Sequence, residues 1–142
     1  MFLVRHAAVV VDRTQPPSLW QLSPEGRRAA ARLRLPEGRA LTSNEDKARE
    51  TARLAGLYAT PDDHLREVLR PWSDDYEADV RSYLGGATVA GWEPRDDVLA
   101  RLHTVLDGHD GIAITHGLAI ALYARLTYDQ WRELPYPAVI EC

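Results

Sequence analysis

The chain has 142 residues, of which 45% are hydrophobic and 27% charged, and its formal net charge is −4. This size and composition predict one globular domain, residues 1–142, and disfavour nucleic acid as the main partner. No apolar stretch approaches the roughly 20 residues of a membrane helix, and the single cysteine, Cys142, excludes an internal disulfide, so we expect a cytoplasmic protein without a membrane partner.

Short runs rich in aliphatic and β-branched residues predict the strands of an α/β sheet. They are Phe2 to His6, Ala40 to Ser43, Leu65 to Leu69, Ile112 to Thr115 and Ala138 to Glu141. Because turn or helix signals follow these runs, we predict a three-layer α/β/α sandwich with a mostly parallel central sheet and a small helical cap.

Helix signals lie between the predicted strands. Ser23-Pro24 is typical of an N-cap followed by proline at the first helical position. Ser43 and Asp46 imitate a capping box, and the amides of the helix they would open are expected to face a bound anion. The predicted helices run from Pro24 to about Leu33, from Ser43 or Asn44 to Ala52, from Ser73 to Leu84, from Pro94 to Leu106, and onward from Gly117.

Two histidines stand at the ends of predicted strands, His6 with Arg5 beside it and His116 followed by Gly117. Such strand ends face the ligand crevice of an open α/β sheet, where a buried arginine requires an anionic partner. Arg5 can grip phosphate oxygens while His6 offers a ring nitrogen to phosphorus. Gly117 permits close backbone approach, and the helix after it would supply amide donors. The pattern indicates phosphate chemistry.

Five segments of the chain carry a resemblance to a known family. They are Leu3-Val4-Arg5-His6-Ala7, Leu22-Ser23-Pro24-Glu25-Gly26, Thr42 to Ala52, Leu65-Arg66-Glu67 and Thr115-His116-Gly117. Together they are similar, along nearly the whole chain, to the histidine phosphatase superfamily, the phosphoglycerate mutase-like group. Ala7 stands in the place of the family's signature glycine, and Lys47 in the place of its second phosphate-binding arginine.

The resemblance implies a phosphatase that hydrolyses phosphate monoesters through a phosphohistidine at His6, without metal or cofactor. It implies His116 as the second catalytic histidine and Glu67 as the general acid. The implied phosphate-binding residues are Arg5, Lys47 and Gly117. A phosphorylated small molecule or a phosphoprotein is the expected substrate, and the oligomeric state stays open.

Position 47 motivates a rival interpretation, because lysine keeps the positive charge of arginine but loses its planar fork. The rival is a non-catalytic phospholigand-binding module, and a purely structural interaction domain is a third possibility. Arg49 is a poor substitute for Lys47, since two residues rotate it by about 200° around a helix. A mutase is disfavoured, because the short stretch from Glu67 to His116 leaves little to enclose an intermediate against water.

Several residues have an ordinary interpretation beside the functional one. Glu67 fits a solvent-facing strand residue as well as a general acid. For Trp72 and Trp92 we favour core packing over a place at the pocket rim, and Trp20 is also expected to pack. The cluster Asp62-Asp63-His64 is not favoured as a metal site, since no second cluster completes a coordination shell.

Overall fold

The computed structural model describes residues 1–142, and its five strands form a single sheet. The strands are β1 (Phe2–Arg5), β2 (Ala40–Thr42), β3 (Ala59–Pro61), β4 (Ile112–Thr115) and β5 (Ala138–Glu141). Their order across the sheet is β3-β2-β4-β1-β5. Every pairing is parallel except that of β5 with β1, so the prediction of a mostly parallel sheet is confirmed.

Six α-helices connect the strands: α1 (Pro24–Arg32), α2 (Asp46–Leu54), α3 (Tyr76–Leu84), α4 (Arg95–Leu106), α5 (Gly117–Tyr123) and α6 (Tyr128–Glu133). α1 begins where predicted, because the Ser23 hydroxyl accepts the Gly26 amide at 3.0 Å. The predicted capping box of α2 is wrong, since this helix begins later and its cap residue, Glu45, makes no side-chain cap bond. None of the helices has the length and apolar character needed to cross a bilayer.

The helices cover both faces of the sheet, which confirms the three-layer sandwich. α2 packs on one face, and the strand side chains buried there are Val4, Ala40, Ile112 and Ile114. The larger core, with α3 to α6, covers the other face and includes the strand side chains Leu3, Leu41 and Ala113. This alternation is the period of two that a strand imposes on its side chains.

The segment between β3 and α3 differs from the prediction. A strand from Leu65 to Leu69 is wrong, because a short 3₁₀ helix ends at Leu65 and no regular structure follows until α3. Leu65 and Val68 are buried by contacts with the larger core, so the apolar residues of this run serve packing in an irregular segment rather than in a strand. The sheet edge is formed by β3 instead. α3 and the irregular segment before it form the small cap.

The segment that follows β1 is closely packed between the sheet and the first two helices. The Ala7 amide donates to the Thr51 hydroxyl of α2 at 3.0 Å. On the α1 side, a Cβ added at Gly26 would collide with the backbone of Ala8. Glycine at this position therefore lets α1 lie directly against the chain that leaves the end of β1.

Candidate active site

The candidate site lies at the carboxyl edge of β1, β4 and β2. Parallel pairing sets Arg5 of β1 beside Thr115 of β4, so the residues that follow, His6 and His116, become neighbours. Their imidazole centroids are 5.2 Å apart. The third strand end contributes Ser43, whose amide donates to the Ile114 carbonyl at 2.9 Å. Main-chain pairing alone thus brings together two histidines that are 110 positions apart in the sequence.

The six residues expected to form the site line one cavity of about 240 Å³: Arg5, His6, Lys47, Glu67, His116 and Gly117. Of the two candidate cations on α2, Lys47 is buried within this cavity, whereas Arg49 is exposed and borders a different groove. Arg5 and Lys47 are both buried against the cavity. Lys47 is paired with Glu45, whereas Arg5 forms no ion pair with a carboxylate, so Arg5 is the buried cation that an anion in the cavity would neutralise.

His6 is held as a neutral ring with one nitrogen already occupied. Its Nδ1 lies 2.8 Å from the Ala7 carbonyl, and because a carbonyl oxygen only accepts, Nδ1 carries the proton. Burial lowers the pKa of His6 to about 3; the Ala7 bond opposes this shift, and the positive charges of Lys47 and Arg5 reinforce it. Near neutral pH the Nε2 lone pair is therefore free for nucleophilic attack.

His116 is fully buried behind His6. Its Nε2 lies 2.8 Å from the Ser43 hydroxyl oxygen and 3.5 Å from a carboxylate oxygen of Glu45. Burial holds the pKa of His116 well below its ordinary value, with smaller contributions from His6, Lys47 and other nearby cations. The second histidine is thus a neutral hydrogen-bonding group rather than a fixed positive charge.

Arg5 is oriented by the chain that precedes β5. Its guanidinium donates to the Leu134 carbonyl at 2.7 Å and to the Tyr136 hydroxyl, and it lies over the Tyr136 ring, 3.4 Å from the centroid. A Cβ at Gly117 would be 2.8 Å from the Arg5 Nη2. Gly117 was predicted to permit close approach of a ligand. In the structure, its missing side chain leaves room for the Arg5 guanidinium, which would bind that ligand.

Glu45 is a carboxylate of the site that was missed in the sequence. It lies 3.0 Å from the Lys47 ammonium, which also donates to the Pro17 carbonyl. Burial raises the pKa of Glu45, although the charge and hydrogen bond of Lys47 act in the opposite direction. An anion that binds Lys47 therefore meets a carboxyl group that takes up a proton readily. The position of Glu45, two residues before Lys47, was the sequence signal that could have identified it as a site residue.

Glu67 lies in the irregular segment and faces the start of α5. Its carboxylate accepts the amides of Leu118 at 3.1 Å, Ala119 at 3.0 Å and Val68 at 2.9 Å. The interpretation as a solvent-facing strand residue is therefore wrong. The expectation that the first amides of this helix face the anion is also wrong for Leu118 and Ala119, because Glu67 occupies them.

A buried ion pair fixes the segment that carries Glu67. Arg101 of α4 makes paired bonds to the Glu93 carboxylate, at 3.0 and 2.9 Å, and donates to the carbonyls of His64, Arg66 and Glu67. Burial would raise the pKa of Glu93, but the Arg101 hydrogen bond and charge outweigh it and the pKa is lowered. Three carbonyls bound by one guanidinium fix the path of the chain into the cavity.

Two further residues of the cavity wall, Arg70 and Tyr76, were not anticipated. The Arg70 guanidinium lies over the Tyr76 ring, 4.4 Å from the centroid, donates to its hydroxyl at 3.1 Å, and has no carboxylate partner. Trp92 packs in the core as favoured. Trp72 does not, being 47% exposed, and Trp20 is half-buried and lines the cavity rather than the core.

The acidic cluster beside the irregular segment forms a local turn. Asp62 accepts the His64 amide at 2.9 Å and lies 2.7 Å from the His64 Nδ1. No group of three or more histidine, cysteine, aspartate or glutamate side chains is arranged to hold a metal ion.

No protein-family model and no curated protein matches the chain. Among solved structures, TTHB049 from Thermus thermophilus superposes with a TM-score of 0.68 at 27% identity, covering 87% of this chain and 82% of that one. Phosphoglycerate mutase from the same organism gives a TM-score of 0.67 at 25% identity, covering 87% and 81%. The chain has the fold of the histidine phosphatase superfamily.

A mycobacterial glucosyl-3-phosphoglycerate phosphatase shares this histidine phosphatase fold, with a TM-score of 0.65 at 24% identity over 94% of this chain and 83% of that one. The resemblance seen in the sequence is confirmed at the level of the fold. The carboxyl edge of the histidine phosphatase sheet is occupied here by Arg5, His6 and His116.

Proposed function

We propose that this chain is a phosphomonoesterase that hydrolyses phosphate esters through a phosphohistidine at His6. The observation that carries the proposal is the neutral His6 ring, with its Nδ1 proton bound to Ala7, in a cavity that also buries Arg5 and Lys47. The similarity to solved structures of a mutase and a phosphatase supports phosphatase- or mutase-like function at the level of the superfamily.

In the first step, the Nε2 lone pair of His6 forms a bond to phosphorus while the bond from phosphorus to the ester oxygen breaks. Arg5 and Lys47 bind the phosphoryl oxygens, and His116 donates a hydrogen bond to them as a neutral ring. Side chains neutralise the charge on these oxygens, so the scheme uses no metal ion. A chelator is therefore expected to leave turnover unchanged.

In the second step, water attacks the phosphorus of phosphohistidine and the bond from phosphorus to nitrogen breaks, returning neutral His6 and releasing inorganic phosphate. The carboxyl group that protonated the leaving alkoxide in the first step accepts a proton from this water. Each cycle therefore consumes one ester and one water and yields one alcohol and one phosphate.

Two carboxyl groups of the cavity are candidates for this proton donor. Glu67 is the one implied by the sequence resemblance, and its carboxylate accepts three main-chain amides. Glu45 has a raised pKa and lies next to Lys47. The true donor is identified by its Gln variant in single-turnover experiments. That variant loses phosphorylation of His6 by alkyl phosphates but retains the burst of 4-nitrophenol from 4-nitrophenyl phosphate, whose leaving group needs no proton, while the water step slows for both esters.

The shape of the cap favours hydrolysis over mutase chemistry. The cap contains one helix of nine residues, α3, and its irregular segment leaves Trp72 largely exposed beside the cavity. A mutase must shield its phosphohistidine from water, whereas a phosphatase requires water at that phosphorus.

The second candidate function is a phospholigand-binding module without turnover. The observation that favours it is the ion pair of Lys47 with Glu45, because a lysine whose charge is already balanced grips phosphate less strongly. Both functions use the same cavity, and they differ only in whether His6 is phosphorylated.

The test is incubation with 4-nitrophenyl phosphate, together with alkaline gel analysis, before and after acid treatment, of protein labelled from a radioactive phosphate ester. We expect turnover and an alkali-stable, acid-labile phosphoprotein, both lost in His6→Ala. His103→Ala is the matched control, because His103 is an exposed histidine of α4 outside the cavity. Absence of turnover and label across a broad ester panel, with sulfate still bound, would favour the binding module.

A further inference from the structure

A second concavity of about 400 Å³ adjoins the phosphate cavity, and its lining is mainly apolar and aromatic. The side chains that give it this character are Val9, Val11, Trp20, Trp72, Tyr76 and Tyr136. Its size lies in the range of small-molecule sites, which combine apolar walls with a few polar groups. We call it the aromatic groove.

The aromatic groove and the phosphate cavity share a wall made of Val9, Pro17, Trp20, Arg70, Tyr76 and Tyr136. The Tyr136 ring lies with its centroid 5.6 Å from that of His6. If phosphate lies next to His6, the alcohol bonded to phosphorus on the side opposite His6 therefore reaches the aromatic groove within a few covalent bonds. We therefore assign the leaving group to the groove.

The far wall of the aromatic groove is held in position. The indole nitrogen of Trp72 donates to the Asp74 carboxylate at 3.3 Å, and the Arg13 guanidinium lies 5.0 Å from the centre of the Trp72 ring. An exposed tryptophan fixed at its edge and covered on one face presents a flat apolar surface at little entropic cost on binding. Such a wall suits the face of an aromatic ring.

We propose that the preferred substrates are small phosphomonoesters whose alcohol carries a flat aromatic group, bound in the aromatic groove while the phosphate occupies the cavity of His6. This inference rests on the proposed function for the position of the phosphate. The volume of the groove, about 400 Å³, fits one compact ring system rather than a longer peptide.

The test measures binding of stable phosphonates by calorimetry, so that it needs no turnover. 2-Naphthylmethylphosphonate is expected to bind about 30-fold more tightly than ethylphosphonate, because the naphthyl ring removes its apolar surface from water. In Trp72→Ala this ratio falls below about 3. Tyr58→Ala is the matched control, since Tyr58 is fully exposed and borders another groove, and the ratio there stays at the wild-type value.

Val11→Asp provides a second variant, because Val11 is 58% exposed and its replacement leaves the core intact. The carboxylate placed in the groove is expected to lower the ratio at least as far as Trp72→Ala does. Ethylphosphonate binding in each variant shows that the cavity is folded.

Three other results of the binding experiments would overturn the inference. Equal affinity of the wild type for the two phosphonates, or a ratio that neither variant lowers, overturns the inference while the proposed function stands. Failure to bind either phosphonate overturns both. A peptide containing phosphonomethylphenylalanine that binds at least 10-fold more tightly than the naphthyl compound overturns the assignment to small molecules.

Discussion

The two sides of the cavity that contains His6 are held by different interactions. On the sheet side, Arg5, His6 and His116 are placed by main-chain pairing between β1 and β4. On the loop side, Glu67 and Arg70 lie in a segment without regular structure, which the Arg101–Glu93 pair holds to α4. Main-chain pairing resists single substitutions, whereas a wall held by one buried ion pair fails when either partner is removed.

Arg101→Met is expected to break the loop side with the largest effect. It leaves Glu93 buried with only the more exposed Arg66 as partner and removes the donors to three carbonyls, at a cost of about 3 kcal/mol in the free energy of unfolding. Urea titration measures this loss. Arg132→Met, which removes an exposed arginine paired with Glu77, should cost less than about 0.5 kcal/mol; similar losses in both variants would contradict the comparison.

Gly117→Ala tests the sheet side at the close contact between Gly117 and Arg5. The new methyl group displaces the Arg5 guanidinium, so kcat/KM should fall about 100-fold while the sheet pairing survives. Steady-state kinetics with 4-nitrophenyl phosphate checks the first effect and urea titration the second. Gly38→Ala is the control, since nothing lies within 4 Å of the added Cβ. An unchanged kcat/KM in Gly117→Ala would show that the position of Arg5 is not critical.

The buried histidines make the sheet side sensitive to acid. Because the pKa values of His6 and His116 are lowered on folding, the unfolded chain binds more protons than the folded one below about pH 6.5. Stability is therefore fully present above that pH and falls as the pH decreases, by about 2 kcal/mol at pH 5 for His6, with a further loss from His116. Urea titrations at pH 7 and pH 5 measure the loss. His6→Asn should reduce the difference, whereas equal stability at both pH values would mean that the two rings titrate normally.

Glu45→Gln is expected to give the smallest of these effects. It tests whether the carboxylate of Glu45 competes with a bound anion for Lys47. Removal of this carboxylate frees Lys47, so sulfate should bind about 10-fold more tightly at pH 7.5. In the wild type, sulfate affinity should rise as the pH falls and Glu45 takes up its proton, and the variant should lose this part of the dependence.

Glu50→Gln is the control for that measurement, because Glu50 lies on α2, the helix that Glu45 precedes, but pairs with Arg27 outside the cavity. Calorimetric titration with sulfate avoids the ionisation of phosphate itself near neutral pH. Identical sulfate affinity in the wild type and in Glu45→Gln would show that Glu45 does not compete for Lys47.

The sheet side could be predicted from the sequence because short local patterns identify the residues that form it. Arg5, His6 and His116 each end an apolar run, and parallel strands end at one edge of the sheet, so their convergence follows from the pattern. Lys47 was found through the resemblance of the segment Thr42 to Ala52 to the family pattern, in which it stands in the place of an arginine. The same local signals located α1 and α4 to within one or two residues.

The loop side was less predictable because long-range contacts determine it. Leu65 and Val68 look like a strand in sequence, but the Arg101 bonds hold this segment in an irregular path. Arg70 and Tyr136 join the site only through tertiary packing, and no spacing relates them to His6. Glu45 was overlooked because the pattern of its segment directs attention to the cation at position 47.

The contact between Gly26 and Ala8 extends the site's sensitivity well beyond the residues that would touch phosphate. Any side chain at position 26 pushes on the backbone two residues after His6, although Gly26 lies in a helix outside the cavity. In a saturation mutagenesis screen scored for turnover, position 26 should therefore tolerate substitution nearly as poorly as His6.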